Sequence, residues 1–195
     1  MNKEKIEKLW KQILEEIGED SNREGLHDTP KRIAKMYEEI FRGYMEPVPK
    51  ITTFNNGSDG LTYDEMIMDE GDYYSQCEHH TVPFFGKYWF AYIPHPKGKI
   101  LGISKVARVV NHFAAKLQVQ ERLTNEIVEH IWKELCNGTE HEPLGMAMVM
   151  KGEHLCKTMR GVKKKGKMTT TVLFGEFKSE AMTRQEFLNW VNSNV

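Results

Sequence analysis

Ile6, Leu9, Trp10, Ile13, Leu14 and Ile17 recur at the spacing of one helix face, and Gly18 stands where the run ends, which predicts a first helix. Asp28-Thr29-Pro30 predicts a second, with Thr29 as its cap, Pro30 in its first turn and a stripe of Ile33, Met36, Tyr37, Ile40 and Phe41 closing at Gly43. Residues 44–60 follow neither period and hold Pro47, Pro49, Asn55-Asn56-Gly57 and Asp59-Gly60, so they read as a long connection. Between 61 and 94 the texture is that of strands: Met66-Ile67-Met68, Phe84-Phe85, Tyr88-Trp89-Phe90 and Tyr92-Ile93, with a turn expected at Gly86-Lys87. His95 to Lys99 reads as a turn. After it, Ser104 is expected to cap a helix carrying Val106, Val109, Val110 and Phe113, and a further helix runs through Leu123, Ile127, Ile131 and Leu135. Strand texture returns at 146–150 and 169–174, and Thr183-Arg184-Gln185-Glu186 reads as a capping box opening a last helix. The order predicts an α+β fold with a largely antiparallel sheet, organised as a single domain over 1–195 with a helical arm at 1–43 and a body at 61–195.

Composition narrows the class. The 195 residues are 39% hydrophobic and 28% charged, with 15 Gly and 7 Pro, which suits a folded domain and excludes collagen-like or disordered chains. Lys and Arg number 27 against 28 Asp and Glu, so no general attraction to nucleic acid is expected. Lys163-Lys164-Lys165 with Lys167 lacks interleaved aromatics and reads as an exposed loop or strand rim. No apolar run is long enough to span a membrane, and the first residues are charged where a secretory leader would be apolar, so a cytoplasmic protein is expected.

Candidate chemistry centres on Cys77-Glu78-His79-His80, a thiol and two imidazoles within one turn after a strand. Downstream, His154 and Cys156 would share one side of a strand and could converge on it. Thiolate and imidazole are zinc donors, and two sites are open. Cys77, His80, His154 and Cys156 would close a structural tetrahedron; three of the five donors with a free fourth position would make a catalytic one, leaving spare histidines for proton transfer. A large core that needs no metal to fold, and one donor more than zinc can use, favour catalysis. Cys136, ending a helix beside Leu135, reads as an inert packed thiol.

Two further cues are weaker. Ser104, Lys105 and Arg108 put a hydroxyl and two cations at a helix start, a place suited to phosphate, and Arg160, Arg32 and Lys35 could add to it. Singly, each is better explained as solvated surface charge, and only convergence on the Cys77 cluster would make them functional. In Gln118-Val119-Gln120-Glu121-Arg122-Leu123 a carboxylate enters a first helical turn, where it can favour the helix dipole or accept two hydrogen bonds from a guanine edge.

Taken together, these blocks resemble GTP cyclohydrolase I. The resemblance is carried by Arg23-Glu24-Gly25-Leu26-His27-Asp28-Thr29-Pro30, by Cys77 to His80, by Gly102-Ile103-Ser104-Lys105, by Gln118 to Leu123, and by His154-Leu155-Cys156 with Arg160-Gly161, in the family's order along nearly the whole chain. It implies a tunnelling fold whose strands join between subunits into a barrel, and a homodecamer of two pentamers with sites at subunit boundaries. It implies zinc on Cys77, His80 and Cys156, catalytic roles for His79, His154 and Ser104, and Glu121 as guanine anchor with Gln120 beside it. Triphosphate contacts would come from Lys105, Arg108 and Arg160, with Arg32 and Lys35 reaching in from a neighbouring subunit. The implied reaction takes GTP and water to 7,8-dihydroneopterin triphosphate and formate. A nitrile reductase of the same fold, which uses a nucleophilic cysteine and no zinc, is disfavoured by His154-Leu155-Cys156, and a zinc-stabilised nucleotide-binding protein without turnover is the remaining alternative.

Overall fold

The computed structural model describes residues 1–194, and the backbone gathers into two compact units, Met1–Pro47 and the chain from Val48 onward. In the first unit α1 (Lys3–Glu16) starts where the Asn2 side chain accepts from the Lys5 N–H at 2.9 Å, and it ends before Gly18, which takes φ +89°. It pairs with α2 (Thr29–Ile40) through contacts such as Trp10 against Tyr37, ring centroids 6.3 Å apart. The apolar stripe is wider than the surface α2 offers within this unit. Leu14 is buried, whereas Leu9, Ile13 and Ile17 are 47, 42 and 69% exposed. Thr29 is the first residue of α2 instead of its cap, and Asp28 before it makes no side-chain capping bond.

The second unit is built on a five-stranded sheet of β2 (Ile67–Cys77), β3 (Pro83–Ile93), β5 (Leu117–Gln118), β6 (Gly145–His154) and β7 (Lys167–Gly175), in the order β5-β2-β3-β6-β7. All neighbours run antiparallel except β2 and β5. Two very short strands, β1 (Thr53–Asn55) and β4 (Lys99–Leu101), pair separately inside stretches whose sequence reads as connection and turn. Strand alternation gives the sheet two apolar faces. Tyr73, Phe84, Tyr88, Phe90, Met146, Met148 and Met150 meet α3 (Ser104–Ala114) and α4 (Gln120–Cys136) through Val106, Val110, Leu123, Ile127 and Ile131. Trp89, Ala91, Ala147 and Val149 on the other face meet Phe177 of α6 (Glu176–Ser179) and Phe187 and Val191 of α7 (Ala181–Ser193). The α+β class and antiparallel sheet are as expected. No helix among the described residues is long and apolar enough to cross a membrane.

Three local expectations change. Gly86-Lys87 is not a turn but lies inside β3, where Gly86 faces Tyr73 and Gly152; a Cβ there would collide with the Lys151 carbonyl oxygen, so the glycine permits close strand approach. The reversal occurs at 78–82 instead. Ser104 opens α3 without a capping bond, and Thr183 to Glu186 lie within α7, which already starts at Ala181. Finally, His154 ends β6 and the chain turns at once into α5 (Leu155–Thr158), so Cys156 sits on a helical turn and not on a strand beside His154.

Candidate active site

The turn after β2 is tied down by its own backbone. Cys77 N–H donates to Val82 O at 2.9 Å, and the N–H groups of His80 and Thr81 both reach back to Cys77 O at 3.3 and 2.8 Å. Closing it puts Thr81 at φ 55°, a conformation a β-branched residue rarely adopts, at a cost of about 1–3 kcal/mol. β5 pairs with Gln76 and Cys77, Glu78 N–H donates to Gln118 O at 3.0 Å, and Arg122 bonds to the Glu78 carboxylate. The segment from Gln118 to Arg122 is thereby held beside the Cys77 turn.

Cys156 arrives from the other side of the sheet order, at the end of β6. The Sγ atoms of Cys77 and Cys156 and a ring nitrogen of His80 all lie within 4.8 Å of one another, with Cys77 Sγ to His80 Nδ1 at 4.0 Å. A tetrahedral ion with bonds of about 2.0–2.3 Å needs its ligands only a little closer than this. Two soft sulfurs and one imidazole on a spacing that needs small closure could hold a metal ion. Burial, and then the neighbouring Cys77 thiol, push the Cys156 thiol above its ordinary range, so without a cation the site favours protonated sulfur. Arg160 Nη1 lies 2.6 Å from His80 Nε2, which places a guanidinium at the edge of the group.

His154 stands outside this group of three. Its ring stacks on Phe84, centroids 4.5 Å apart, and its Nε2 lies 2.8 Å from Gln120 Oε1. Burial pushes its proton affinity below the usual histidine value, the Glu121 carboxylate pulls it back up, and Lys157 lowers it further. His79 is the opposite case. Its side chain is 62% exposed, with Nδ1 3.8 Å from Cys77 Sγ and Nε2 4.0 Å from Glu78 Oε1. A hollow of about 360 Å³ opens here, lined by His154, Cys156, Lys157, Gly166 and Met168.

The remaining expected residues divide sharply. Glu121 lies in the first turn of α4, exposed and close enough to act on His154. Gln120 is fully buried, and its side-chain polar atoms are all taken up by protein groups, so the structure does not present it to a substrate. Ser104, Lys105 and Arg108 lie on the first turns of α3, and among the described residues neither cation forms an ion pair. Arg32 and Lys35 belong to α2 of the first unit, where Arg32 approaches Asp28 at 3.7 Å. Cys136 is partly buried, and desolvation raises its thiol, in keeping with a packing role. Sequence reasoning missed Tyr73, Phe84 and Thr170, which hold Gln120 and His154; the available signal was Gly152, a glycine inside a strand, between Lys151 and Glu153.

Known proteins point the same way. The family model for GTP cyclohydrolase I matches residues 6–192. The GTP cyclohydrolase 1 of a Sulfurihydrogenibium species is 49% identical over 196 residues, covering 100% of this chain and 97% of that protein. Those of Thermoanaerobacter pseudethanolicus and Bacillus subtilis are 45 and 46% identical, covering 99 and 98% of this chain and 98 and 96% of their own lengths. With its antiparallel sheet, its helices and its Cys-His-Cys group, the chain belongs to the GTP cyclohydrolase I family, whose fold is the tunnelling fold.

Proposed function

We propose that this chain converts GTP and water to 7,8-dihydroneopterin triphosphate and formate, the opening step of pterin and folate-type biosynthesis. The observation that carries the reading is the convergence of Cys77, His80 and Cys156 beside a sheltered His154, in a chain of this family. Cys77, His80 and Cys156 would hold zinc, whose Lewis acidity, when it is bound, makes water a nucleophile near neutral pH.

The chain's own groups account for the rest. The Glu121 carboxylate accepts two hydrogen bonds from the N1–H and 2-amino group of guanine, a pair that adenine cannot offer. C8 of the base resists attack until N7 is protonated, and His154 delivers that proton. His79 and Ser104 relay protons during the later ribose opening. Lys105, Arg108 and Arg160 hold the triphosphate, which makes no bonds but fixes the base in place. Arg32 and Lys35 complete that clamp from a neighbouring copy in an assembly of two pentamers, in which strands of adjacent copies join into a barrel.

The test is incubation of the purified chain with GTP, following pterin fluorescence and formate, with and without a chelator. Formate release that the chelator abolishes is the expected result. GTP binding without formate would reassign the chain as a nucleotide-binding protein, and turnover with all metal removed would end the zinc reading.

A further inference from the structure

Tyr73, Gly86 and Gly152 occupy one row across β2, β3 and β6, Tyr73 opposite Gly86 and Gly86 opposite Gly152. A Cβ on Gly152 would collide with the Tyr73 hydroxyl and come within 2.7 Å of Gln120 Oε1. Gly152 therefore leaves the space in which the Tyr73 hydroxyl reaches Gln120 and donates to Oε1 at 3.1 Å, while Gly86 lets β3 and β6 approach closely at the same row.

The orientation of the Gln120 amide is dictated by what surrounds its nitrogen. Nε2 lies 3.0 Å from Met150 O, 3.2 Å from Met168 O and 3.1 Å from Thr170 Oγ1. The two carbonyls can only accept, so the nitrogen of the amide must face them and Oε1 must face Tyr73 and His154. The Thr124 hydroxyl donates to Gln120 O at 2.7 Å and lies 2.7 Å from Thr170 Oγ1, which leaves the Thr170 oxygen free to accept from Gln120. Every donor and acceptor of the amide is matched, and the side chain is fully buried. A carbonyl oxygen cannot donate. The 2.8 Å contact with His154 therefore requires the histidine proton on Nε2.

We infer that Gln120 is a positioning residue: it fixes His154 as the Nε2–H tautomer over Phe84, so that Nδ1 is the nitrogen that exchanges a proton with the substrate. The inference rests on the proposed reaction for its catalytic meaning, yet the tautomer can be read without any substrate. No covalent step is added; Nδ1 first takes up a proton, giving the imidazolium, and passes that proton to the base, while the Nε2 proton stays on Nε2 and is donated to Gln120 Oε1 throughout.

The test starts with the metal-loaded protein carrying ¹⁵N-labelled histidine, with the His154 signals identified by their loss in His154→Asn. At a pH where the ring is neutral, a protonated Nε2 and a bare Nδ1 are expected; the reverse pattern, or an even mixture, overturns the inference even if the chain turns GTP over. In Gln120→Leu the His154 signals should shift to a tautomer mixture, kcat should fall about 10²-fold and KM should change little. A variant that keeps kcat and the tautomer but loses GTP affinity would show Gln120 to be a substrate contact, and would overturn it too. If Gln120→Leu does not fold, the wild-type tautomer alone decides. Absence of formate release with the Nε2–H tautomer intact would count against the proposed reaction and not against the positioning.

Discussion

His154 and His79, the two candidate histidines left outside the Cys77, His80 and Cys156 group, differ in almost everything that matters for proton transfer. His154 is half-buried, stacked on Phe84 and bonded to an amide that is itself held by four other groups, whereas His79 is mostly exposed with only long contacts at 3.8 and 4.0 Å. We propose that the same contrast separates the sheltered side of the site, supplied by β2, β3, β6 and α4, from a cationic rim formed by Lys105 and Arg108 of α3, which form no ion pair among the described residues. Groups on the sheltered side are placed by folding, before any substrate arrives. Rim groups keep their side-chain freedom, at up to about 2 kcal/mol each, until an anion orders them. Loss of a sheltered group should therefore appear in kcat and stability, and loss of a rim group in KM and salt dependence.

The largest break in this comparison should come from Cys156→Ser. A hydroxyl is a poor replacement for a thiolate, so metal content should collapse, and turnover should fall by about three orders of magnitude or more as the acidity of the attacking water reverts from near pH 7 towards that of bulk water. His154→Ala should instead keep the metal while losing about 10²–10⁴-fold in kcat. Metal analysis beside steady-state kinetics separates the two. A metal-free His154→Ala would make His154 a ligand and the site a closed one.

Next in size is Gly152→Ala, one methyl far smaller than any change in the ligands. The methyl would push on the Tyr73 hydroxyl and Gln120 Oε1, so we expect a loss of about 1–3 kcal/mol in denaturant unfolding together with a lower kcat at unchanged metal content. Full activity at wild-type stability would show that the space around Gly152 is loose and that this glycine has no bearing on the site.

Much of this arrangement can be read in the chain, and the part that cannot has a common cause. The residues of the Cys-His-Cys group, His154 and Glu121 stand out because their chemistry is dense in sequence, and the helices because their apolar period is long. Gly86 misleads, since a glycine that lets strands approach looks locally like a turn residue. Gln120 misleads differently: its neighbour Glu121 is exposed in the first turn of α4, but Gln120 itself points into contacts with Tyr73, Met150, Met168 and Thr170, residues 20 or more positions away that only the sheet register brings together. The turn from β6 into α5 at Leu155 is also invisible to a period-two argument, because three residues cannot display a period.

On the rim, Arg108→Ala should leave unfolding within about 0.5 kcal/mol of wild type, as expected for an exposed side chain without an ion pair. Its effect should appear as a KM for GTP raised roughly 5- to 20-fold, equal to about 1–2 kcal/mol, that shrinks as salt is added. A drop in kcat at constant KM would move Arg108 to the sheltered side of the comparison.

The smallest effect concerns a desolvated histidine without the acceptor that His154 has. His130 lies on α4 with its ring 5.6 Å from Phe113, and among the described residues its buried Nε2 has no hydrogen-bond partner. Burial pushes its proton affinity below the ordinary value, Glu134 pulls it up and Lys133 pushes it down. A depressed value means that the unfolded chain binds the proton more readily than the folded one. Above pH of about 6.5 both forms are neutral and the group contributes no slope; as pH falls below that, the unfolded state is protonated first and stability declines. His154 is shifted in the same direction and adds to the same acid limb, so the slope of the wild type alone cannot be assigned. Urea midpoints of wild type and His130→Leu across this window isolate the His130 share: the variant should lose less stability on acidification, while the two curves stay parallel above the window. Parallel curves throughout would mean that the His130 ring takes up its proton in the folded chain as easily as in the unfolded one, and that a buried nitrogen on α4 reaches water despite its packing against Phe113.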